Sequence, residues 1–465
     1  MYKTEIVEKN RKTVIHTEGG ERLSDILIAN GFYIDMPCGG NGRCGKCAVT
    51  VNGVETTACR YIINSDVTVR LPERSDAVSD PASGQDTKNN EKMCLALDIG
   101  TTTLALALVS AESGKTVRLL GCANSQRVFG ADIMAIIEYC RKNGVEKLQS
   151  AVINDINRLV KKLNLSEPVP LYVAGNTTML HIFFGVDCSP LGCAPYAPAF
   201  LDSKRVDGKS LGLKIVSEVI SLPCISAFAG ADITAGLNYV NLPVKGKYNL
   251  LVDLGTNAEI ALYNGSCCLC TSAAAGPCFE GANISSGMSA VDGAVYAYKD
   301  GTAQVAGSGA AKGICGTGLI DVVAFLLEKE IADSTGFMQC AEYEIADGVS
   351  VTQDDLRQYQ LAKSAVFSAI CVLIEHSGVS YDDIETVYVS GGFSEGFNTE
   401  SAVKTGLIPK AIGEKCVAAG NSSLKGVIKY ICEGGNLPIF IGKAQYIDLS
   451  TDEVFSKAFI ENMKF

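Results

Sequence analysis

The chain has 465 residues, 47% of them hydrophobic, which is enough for roughly two to four packed domains and excludes a mainly disordered protein. Its 40 Lys and Arg residues face 51 Asp and Glu residues, and the formal net charge of −11 argues against nucleic acid or an anionic membrane as a partner. No signal peptide and no apolar run long enough to span a bilayer is recognisable. We therefore expect a cytoplasmic protein whose 19 cysteines are metal ligands or buried thiols.

The first elements in the chain are short and close together. Residues 3–8 and 11–17 read as two strands, and residues 21–30 space their apolar side chains as a helix does. Two further alternating runs, 48–51 and 67–71, follow a cysteine-rich stretch. The order strand, strand, helix, cysteine loop, strand, strand predicts a small α+β domain of the β-grasp type.

The cysteine-rich stretch MPCGGNGRCGKCAVTV begins at residue 36 and is dominated by glycine. Its three cysteines and one farther along the chain have the spacing C-x5-C-x2-C-x11-C, formed by Cys38, Cys44, Cys47 and Cys59. This is close to the C-x4-C-x2-C spacing of plant-type two-iron ferredoxins, with one residue added. Glycine allows the backbone to wrap closely and to point N–H groups at sulfur. The pattern favours four thiolate ligands of a [2Fe–2S] cluster.

Three other interpretations of the stretch remain open. Gly40, Gly42 and Gly45 form a nominal G-x-G-x-x-G, but no helix follows and cysteines interrupt it. Structural zinc normally uses paired short spacings, of which only one is present here. The cysteines could also be thiols without a metal. The element order and the loop resemble an N-terminal ferredoxin domain, which implies that residues 1–71 carry single electrons.

A change of composition separates this region from the rest of the chain. Residues 72–92 are rich in Pro, Ser, Asp, Asn and charge, which is typical of a flexible linker. Residues 93–465 alternate apolar strands with helical stretches such as 131–140 and 318–327, which predicts an α/β body. Within the body, residues 95–108 and 250–262 look alike, so we expect a duplicated domain.

Each copy of this repeat is an apolar strand, a turn that begins with Asp and contains Gly and Thr, and a second apolar strand. No Walker A sequence is present, so phosphate would have to be held by such turns, through backbone N–H groups and hydroxyls. The Asp entering each turn could hold Mg²⁺ through water, or could only cap an ordinary hairpin turn. The candidate residues are Asp98, Gly100, Thr101, Thr102 and Thr103 in the first copy and Asp253, Gly255, Thr256 and Asn257 in the second.

A third element completes the pattern. Residues 387–397 form an apolar strand that ends at Gly391 and Gly392, where a planar base could approach the backbone. The three elements resemble the phosphate-1, phosphate-2 and adenosine motifs of the superfamily of acetate kinase, sugar kinases, Hsp70 and actin. This resemblance implies two ribonuclease-H-like lobes with ATP and Mg²⁺ between them.

Four further segments, 173–185, 229–232, 274–282 and 315–321, fit a narrower group. Together with the N-terminal domain they resemble the reductive activators of corrinoid proteins. The resemblance implies that ATP drives the one-electron reduction of cobalt(II) to cobalt(I) in a corrinoid protein. It also implies an external electron donor such as a ferredoxin or a reductase. A homodimer is kept open as the oligomeric state.

Several other polar residues lie near these motifs. Asp232 could orient the attacking water or could only cap the helix after Gly230. Glu280 and Asn176 are further candidates for the cleft. His181 lies in an apolar run and is expected to be a hydrogen-bonded core residue rather than a corrinoid contact. The run of Cys267, Cys268 and Cys270 is strand-like and is expected to contain buried thiols rather than a second metal site.

Three other functions are compatible with the sequence. The activators of 2-hydroxyacyl-CoA dehydratases share the ATPase fold but lack an attached ferredoxin domain. A small-molecule kinase with a redox-sensing ferredoxin domain would place phosphate on a metabolite. A nucleotide-switched binding module would not turn over ATP.

Overall fold

The computed structural model describes residues 1–8, 11–34, 36, 40, 42, 45, 47–72, 77–79, 91–130, 132–391 and 396–465. The strands of these residues form five sheets, of five, seven, six, three and two strands. No helix in this described part of the chain is both long and apolar enough to cross a membrane.

The N-terminal region is a five-stranded sheet with one helix, and its strand order is β2-β1-β5-β3-β4. Strand β1 pairs antiparallel with β2 and parallel with β5, and β3 pairs antiparallel with both β4 and β5. The elements are β1 (Tyr2–Glu8), β2 (Arg11–Thr17), α1 (Leu23–Ala29), β3 (Ala48–Val51), β4 (Val54–Thr57) and β5 (Val67–Arg70). The predicted strands and helix are confirmed, and β4 was not predicted.

The sequence contains a signal for β4 that the periodicity argument missed. Asn52 and Gly53 both have positive φ, 49° and 87°, and they join β3 to β4 as a two-residue turn. Asn-Gly is the dipeptide that such tight hairpin turns prefer, because both central residues need φ above zero. One apolar cluster holds the sheet to the helix, and it includes Ile6, Leu23 and Val69, which are fully buried.

The predicted linker is not a free coil over its whole length. Strand β6 (Ala77–Ser79) pairs antiparallel with residues 119–121 at the edge of the next sheet. An edge strand presents backbone N–H and C=O groups without hydrogen-bond partners, and this short segment of the linker forms hydrogen bonds to some of them. Residues 73–76 and 80–90 lie outside the described residues.

The next region is the seven-stranded sheet with order β11-β12-β10-β7-β8-β9-β6. Its strands are β7 (Met93–Ile99), β8 (Thr103–Ser110), β9 (Thr116–Ala123), β10 (Val169–Gly175), β11 (Arg205–Asp207) and β12 (Val216–Ser221). Its helices are α2 (Ile133–Asn143), α3 (Glu146–Lys162), α4 (Thr177–Phe183) and α5 (Ala231–Tyr239). We call this region the first lobe.

The second lobe is built on the six-stranded sheet with order β22-β21-β13-β14-β15-β23. Its strands, including those of the two small sheets, are β13 (Tyr248–Leu254), β14 (Ala258–Tyr263), β15 (Cys268–Ala273), β16 (Ala294–Lys299), β17 (Thr302–Val305), β18 (Gly313–Ile314), β19 (Glu342–Ala346), β20 (Val349–Thr352), β21 (Ile384–Ser390), β22 (Cys416–Gly420) and β23 (Ala444–Tyr446). Its helices are α6 (Gly316–Glu328), α7 (Gln353–Ser377), α8 (Thr399–Lys404), α9 (Ser422–Cys432) and α10 (Glu453–Glu461).

The two large sheets share one topology. In the first, β7, β8 and β9 form an antiparallel meander, and β10 and then β12 add parallel strands on the other side of β7. In the second, β13, β14 and β15 form the meander, and β21 and then β22 add parallel strands beside β13. The predicted repeat at 95–108 and 250–262 is therefore confirmed as the first hairpin of each meander.

Two helices cross between the lobes. Leu424 and Val427 of α9 are buried in the core of the first lobe, and Ile233 and Leu237 of α5 are buried beside strands of the second sheet. The two helices pack so closely that a Cβ atom at Gly426 would collide with the backbone of α5.

Candidate nucleotide cleft and cysteine loop

A cleft with a cavity volume of about 100 Å³ lies where the first hairpins of the two lobes turn. It brings together every nucleotide-site residue that was predicted and that the structure describes, namely Asp98, Gly100, Thr101, Thr102, Thr103, Asp232, Asp253, Gly255, Thr256, Asn257 and Gly391. Asn176 and Glu280 also line it. Gly392 lies outside the described residues.

The two Asp-bearing turns occupy equivalent places in the two lobes but differ in length, with residues 100–103 between the paired strands of the first hairpin and residues 255–257 between those of the second. The Gly100 N–H donates to the Thr103 carbonyl at 2.9 Å, and the Gly255 N–H donates to the Asn257 carbonyl at 3.0 Å. A Cβ atom at Gly100 would lie 2.8 Å from that Thr103 oxygen, so the first turn requires glycine. Both turns therefore leave neighbouring hydroxyls and backbone groups facing the cleft.

Gly391 ends β21 beside the second turn. Its φ of 127° is in the region that favours glycine, and a Cβ atom there would collide with the carbonyl of Leu254. In the sequence, glycine at position 391 is interpreted as leaving room for the planar base of a nucleotide. The structure adds a different reason, which is the close approach of a neighbouring strand.

Asp98 is held by the N-terminus of α9. The Asn421 side-chain N–H and the Ser423 hydroxyl donate to its two carboxylate oxygens, each at 2.8 Å. Burial raises the pKa of Asp98, and these two hydrogen bonds oppose that rise because they stabilise the ionised form.

Asp253 and Asp232 are the two acids of the cleft whose pKa values are raised into the neutral range. Burial, together with the charges of Asp232 and Asp98, raises the pKa of Asp253 to about 8. Burial and the charge of Asp98 raise the pKa of Asp232 to about 7. Asp232 accepts the Ile233 N–H at 2.8 Å in the first turn of α5, whereas the N-cap position of that helix is Gly230. Asp232 is therefore not at the N-cap position, although its carboxylate accepts an N–H group of the first helical turn.

Glu280 joins the two turns. The Thr102 hydroxyl of the first turn donates to one Glu280 oxygen at 2.6 Å, and the Thr256 hydroxyl of the second turn donates to the other. Burial raises the pKa of Glu280, whereas these hydrogen bonds and the charge of Arg127 lower it. One carboxylate thus bridges the lobes through both predicted phosphate turns.

The cleft concentrates acidic groups that need a counter-charge. Its five carboxyl groups are Asp98, Asp232, Asp253, Glu259 and Glu280. Among the described residues, no three His, Cys, Asp or Glu side chains lie close enough to hold a metal ion together. Mg²⁺ keeps most of its water and is held by one or two carboxylates plus substrate phosphates, so this donor set suits that ion.

Asn176 and His181 have structural partners. The Asn176 carbonyl oxygen accepts the Met179 N–H at 2.9 Å at the start of α4, and its side-chain N–H donates to the Thr101 hydroxyl at 3.2 Å. His181 is fully buried, with Nδ1 2.7 Å from the Thr177 carbonyl and Nε2 3.0 Å from the Ala199 N–H. The prediction that His181 is a hydrogen-bonded core residue is confirmed.

Asn421 and Ser423 were not predicted, although the sequence contains a signal for Asn421. Residues 419–423 read AGNSS, and residues 174–178 read AGNTT. In both cases Asn follows a strand, accepts the N–H three residues on and turns its amide toward the first turn. This second internal similarity could have identified Asn421.

The cysteine loop is described only in part. Cys47 and Cys59 are buried, and their sulfurs lie 3.2 Å apart, which is longer than a disulfide bond. Cys38 and Cys44 lie outside the described residues. The three described glycines of the loop have positive φ, with 77° at Gly40, 71° at Gly42 and 68° at Gly45. Two converging buried thiols in a glycine-wrapped loop are compatible with an iron–sulfur ligand set.

The other cysteine run matches the prediction of buried thiols at two of its three positions. Cys268 and Cys270 of β15 are buried, and burial raises the pKa of Cys270 to about 12, whereas Cys267 is half-buried.

Two family models match consecutive parts of the chain. The RACo middle region matches residues 93–245, and the C-terminal domain of RACo, described as the ASKHA domain, matches residues 247–465. The chain is 25% identical to the corrinoid activation enzyme RamQ of Eubacterium limosum, with 95% of the chain and 96% of RamQ covered.

Two further relatives agree with this match. The chain is 26% identical to a [Co(II) methylated amine-specific corrinoid protein] reductase of Methanosarcina barkeri, over 80% of the chain and 76% of that protein. A solved structure named reductive activator for corrinoid, iron-sulfur protein has the same fold, with a TM-score of 0.74, 24% identity and coverage of 100% of this chain and 98% of that one. The chain therefore belongs to the family of reductive activators of corrinoid proteins, with an ATPase body of the ASKHA type.

Proposed function

We propose that the chain couples ATP hydrolysis in the cleft to the transfer of one electron to a corrinoid protein, whose cobalt(II) is reduced to cobalt(I). The observation that carries this proposal is the pair of like turns, 98–103 and 253–257, that line one cleft between two lobes of the same topology. Membership of the activator family supports the choice of a corrinoid protein as the acceptor.

In the cleft, Asp98 and Asp253 hold Mg²⁺ through water. The turns and the end of β21 bind the nucleotide, with phosphate at Gly100, Thr101, Thr102, Thr103, Gly255, Thr256 and Asn257 and adenosine at Gly391 and Gly392. Asp232 orients the attacking water and can accept its proton, because a pKa of about 7 leaves a substantial ionised fraction at neutral pH. These assignments follow from the lining of the cleft and from the family motifs.

Cys38, Cys44, Cys47 and Cys59 would hold a [2Fe–2S] cluster, which would supply one-electron redox chemistry in the N-terminal domain. The convergence of Cys47 and Cys59 and the positive φ of the loop glycines support this ligand set. We assign residues 1–71 to a β-grasp ferredoxin domain, 72–92 to the connection and 93–465 to the ATPase. An external donor, a ferredoxin or a reductase, supplies the electron and is itself oxidised by one electron.

Joining an ATPase to an electron carrier has a thermodynamic reason. An acceptor about 200 mV below its donor makes a one-electron transfer uphill by roughly 5 kcal/mol. A differential affinity of about 5.5 kcal/mol for two states of the acceptor can invert a 1:99 population. Lobes that bind the corrinoid protein differently in each nucleotide state can supply a difference of this size.

The test is cobalt(I) formation followed optically and anaerobically, with a strong reductant and a corrinoid protein from the same genome. We expect cobalt(I) only when MgATP is added, with phosphate released into solution. Equal yields with and without MgATP would reject the coupling, and phosphate found on a metabolite would indicate a kinase.

The cluster has its own test. Cys59→Ser should lower the iron content of anaerobically purified protein and remove the electron paramagnetic resonance signal of its reduced form. Cys270→Ser, which alters a buried thiol of β15, is the matched control and should change neither. Iron retained at the wild-type level in Cys59→Ser would contradict the ligand assignment.

A further inference from the structure

One segment contacts both the nucleotide cleft and the N-terminal domain, and the role inferred for it rests on the function proposed above. Residues 124–129, here called the docking segment, follow β9 and include one turn of 3-10 helix. The Ser125 N–H and hydroxyl donate to Asp155 at 2.8 and 2.9 Å, and the Gln126 side chain donates to the Leu148 carbonyl at 3.0 Å. The segment is thus ordered by hydrogen bonds to α3.

The first end of the docking segment is bonded to the first phosphate turn. The Asn124 backbone N–H donates to the Thr102 carbonyl at 2.8 Å, and its side-chain N–H donates to the Gly100 carbonyl at 2.9 Å. Asn124 is 1% exposed, so these bonds are shielded from competing water. A shift of the turn must therefore displace the segment.

The middle of the segment faces Glu280. Arg127 and Glu280 line a common cavity beside the cleft, and the charge of Arg127 lowers the pKa of Glu280. Glu280 in turn accepts the hydroxyls of Thr102 and Thr256. A threonine hydroxyl donates a single hydrogen bond, so a phosphate group and Glu280 would compete for the same two donors.

The far end of the segment is buried against the N-terminal domain. Val128 is 6% exposed and belongs to that domain's apolar cluster. The Phe129 ring lies edge-on to Tyr33 of the domain, with centroids 6.2 Å apart, and 4.7 Å from the Tyr139 ring of α2. Two consecutive residues thus form an apolar contact between the body and the electron-carrying domain.

We propose that MgATP binding in the cleft loosens the docking of the N-terminal domain, and that the docking segment transmits this change. The polyphosphate takes the two threonine hydroxyls and repels the Glu280 carboxylate, and it attracts the Arg127 guanidinium toward the cleft. Because Arg127 directly precedes Val128 and Phe129, this movement withdraws both side chains from the N-terminal domain. ATP thereby releases the electron carrier for delivery.

The test is amide hydrogen exchange of the full-length, cluster-containing protein with and without MgATP. We expect exchange in peptides covering residues 26–34 to rise at least fivefold with MgATP, the lower end of typical coupling between two sites. Arg127→Gln should reduce the rise to less than twofold while MgATP still binds. Arg141→Gln, an exposed arginine in the next helix, is the matched control and should show the wild-type response.

Linkage provides a second, independent measurement. If MgATP weakens docking, then Phe129→Ala, which weakens docking directly, should bind MgATP more tightly, by at most the factor by which MgATP weakens docking in the wild type. The exposed Phe337→Ala is the control for loss of a ring. Unchanged exchange in wild-type protein that binds MgATP would overturn the proposal, as would an unchanged MgATP affinity in Phe129→Ala. Absence of MgATP binding would instead refute the proposed nucleotide site.

Discussion

The two phosphate turns occupy equivalent places in the two lobes but differ in the residue that faces each Asp across its hairpin. Asp98 is paired with Ala105 of β8, whereas Asp253 is paired with Glu259 of β14. Carboxyl groups directly opposite each other on a sheet repel one another when both are ionised. Burial, with the charges of Asp232 and Asp253, raises the pKa of Glu259 well above its usual range.

The hydrogen bonds to the two acids differ as well. Asp98 receives two hydrogen bonds from the N-terminus of α9, which stabilise its charge within the protein. The pKa of Asp253 is raised to about 8, chiefly by burial. The acid of the first turn is thus stabilised by two donors of α9, whereas the acid of the second turn, which has a hydrogen bond from Ser390, is the one whose charge a cation bound as proposed above would stabilise more. In this respect the second turn is the more specialised of the two.

The largest expected effect comes from Asp253. Asp253→Asn keeps the shape of the side chain but removes the charge that orients the hydrated cation, so ATP hydrolysis should fall about 10- to 100-fold. The measurement is phosphate release at saturating Mg²⁺. Asp347→Asn, in an exposed turn of the second lobe, should retain wild-type turnover. Wild-type rates in Asp253→Asn would show that the two turns do not differ in this way.

The pH dependence sharpens the contrast. Asp232 and Asp253 lose protons at about pH 7 and 8, so Mg²⁺-dependent nucleotide affinity should rise from pH 6 to 8, by up to about tenfold per pH unit for each proton released. Without Mg²⁺ the free energy of unfolding should fall over the same rise in pH. Carboxyl groups whose pKa is raised on folding stabilise the protein at low pH, and this contribution is lost as the pH rises through 7 and 8.

Calorimetric titration of MgATP in buffers of different ionisation enthalpy measures the proton release directly. Asp253→Asn should remove the release near pH 8, whereas Ser266→Ala at an exposed turn should leave it unchanged. A MgATP affinity that stays constant from pH 6 to 8 would contradict the raised pKa values of Asp232 and Asp253.

The bonds to Asp98 should have a moderate effect. Ser423→Ala removes one donor and should destabilise the first lobe by about 1 kcal/mol, because water in the cleft can replace part of the lost bond. Differential scanning calorimetry measures the change, again with Ser266→Ala as the control. A neutral result would mean that Asp98 is not stabilised by α9.

The smallest expected effect is at Glu259. Because burial and the charges of Asp232 and Asp253 raise the pKa of Glu259 and so favour its neutral form, Glu259→Gln should change stability by less than about 1 kcal/mol. A large stabilisation in Glu259→Gln would reveal that Glu259 is ionised in the folded protein. The same calorimetric scan distinguishes the two results.

The parts of the site that could be predicted are those formed by neighbouring residues. The turns at 98–103 and 253–257 are local patterns of Asp, Gly and Thr after an apolar strand, and each lies where the pattern placed it. The bridge from Thr102 to Glu280 joins residues 178 apart, and the bond from Asn421 to Asp98 joins residues 323 apart. Such pairs depend on how the lobes face each other, which no local pattern contains.

One part of the predicted linker, residues 77–79, differs from a free coil for a related reason. Its composition favours coil, but residues 77–79 pair with the edge of a sheet formed by residues that come later in the chain. A short segment with a weak intrinsic preference for strand or helix adopts the structure that its neighbours in space stabilise. Composition describes the segment alone and therefore could not predict this pairing.

The crossing of α5 and α9 has a consequence for how the protein can be made. Helix α9 is encoded near the end of the chain, yet its Leu424 and Val427 complete the core of the first lobe. A ribosome must therefore synthesise almost the whole polypeptide before that lobe can close. Expression of residues 93–245 alone would expose an apolar groove, so a gene divided at this point should yield insoluble fragments that become soluble only when the two halves are produced together.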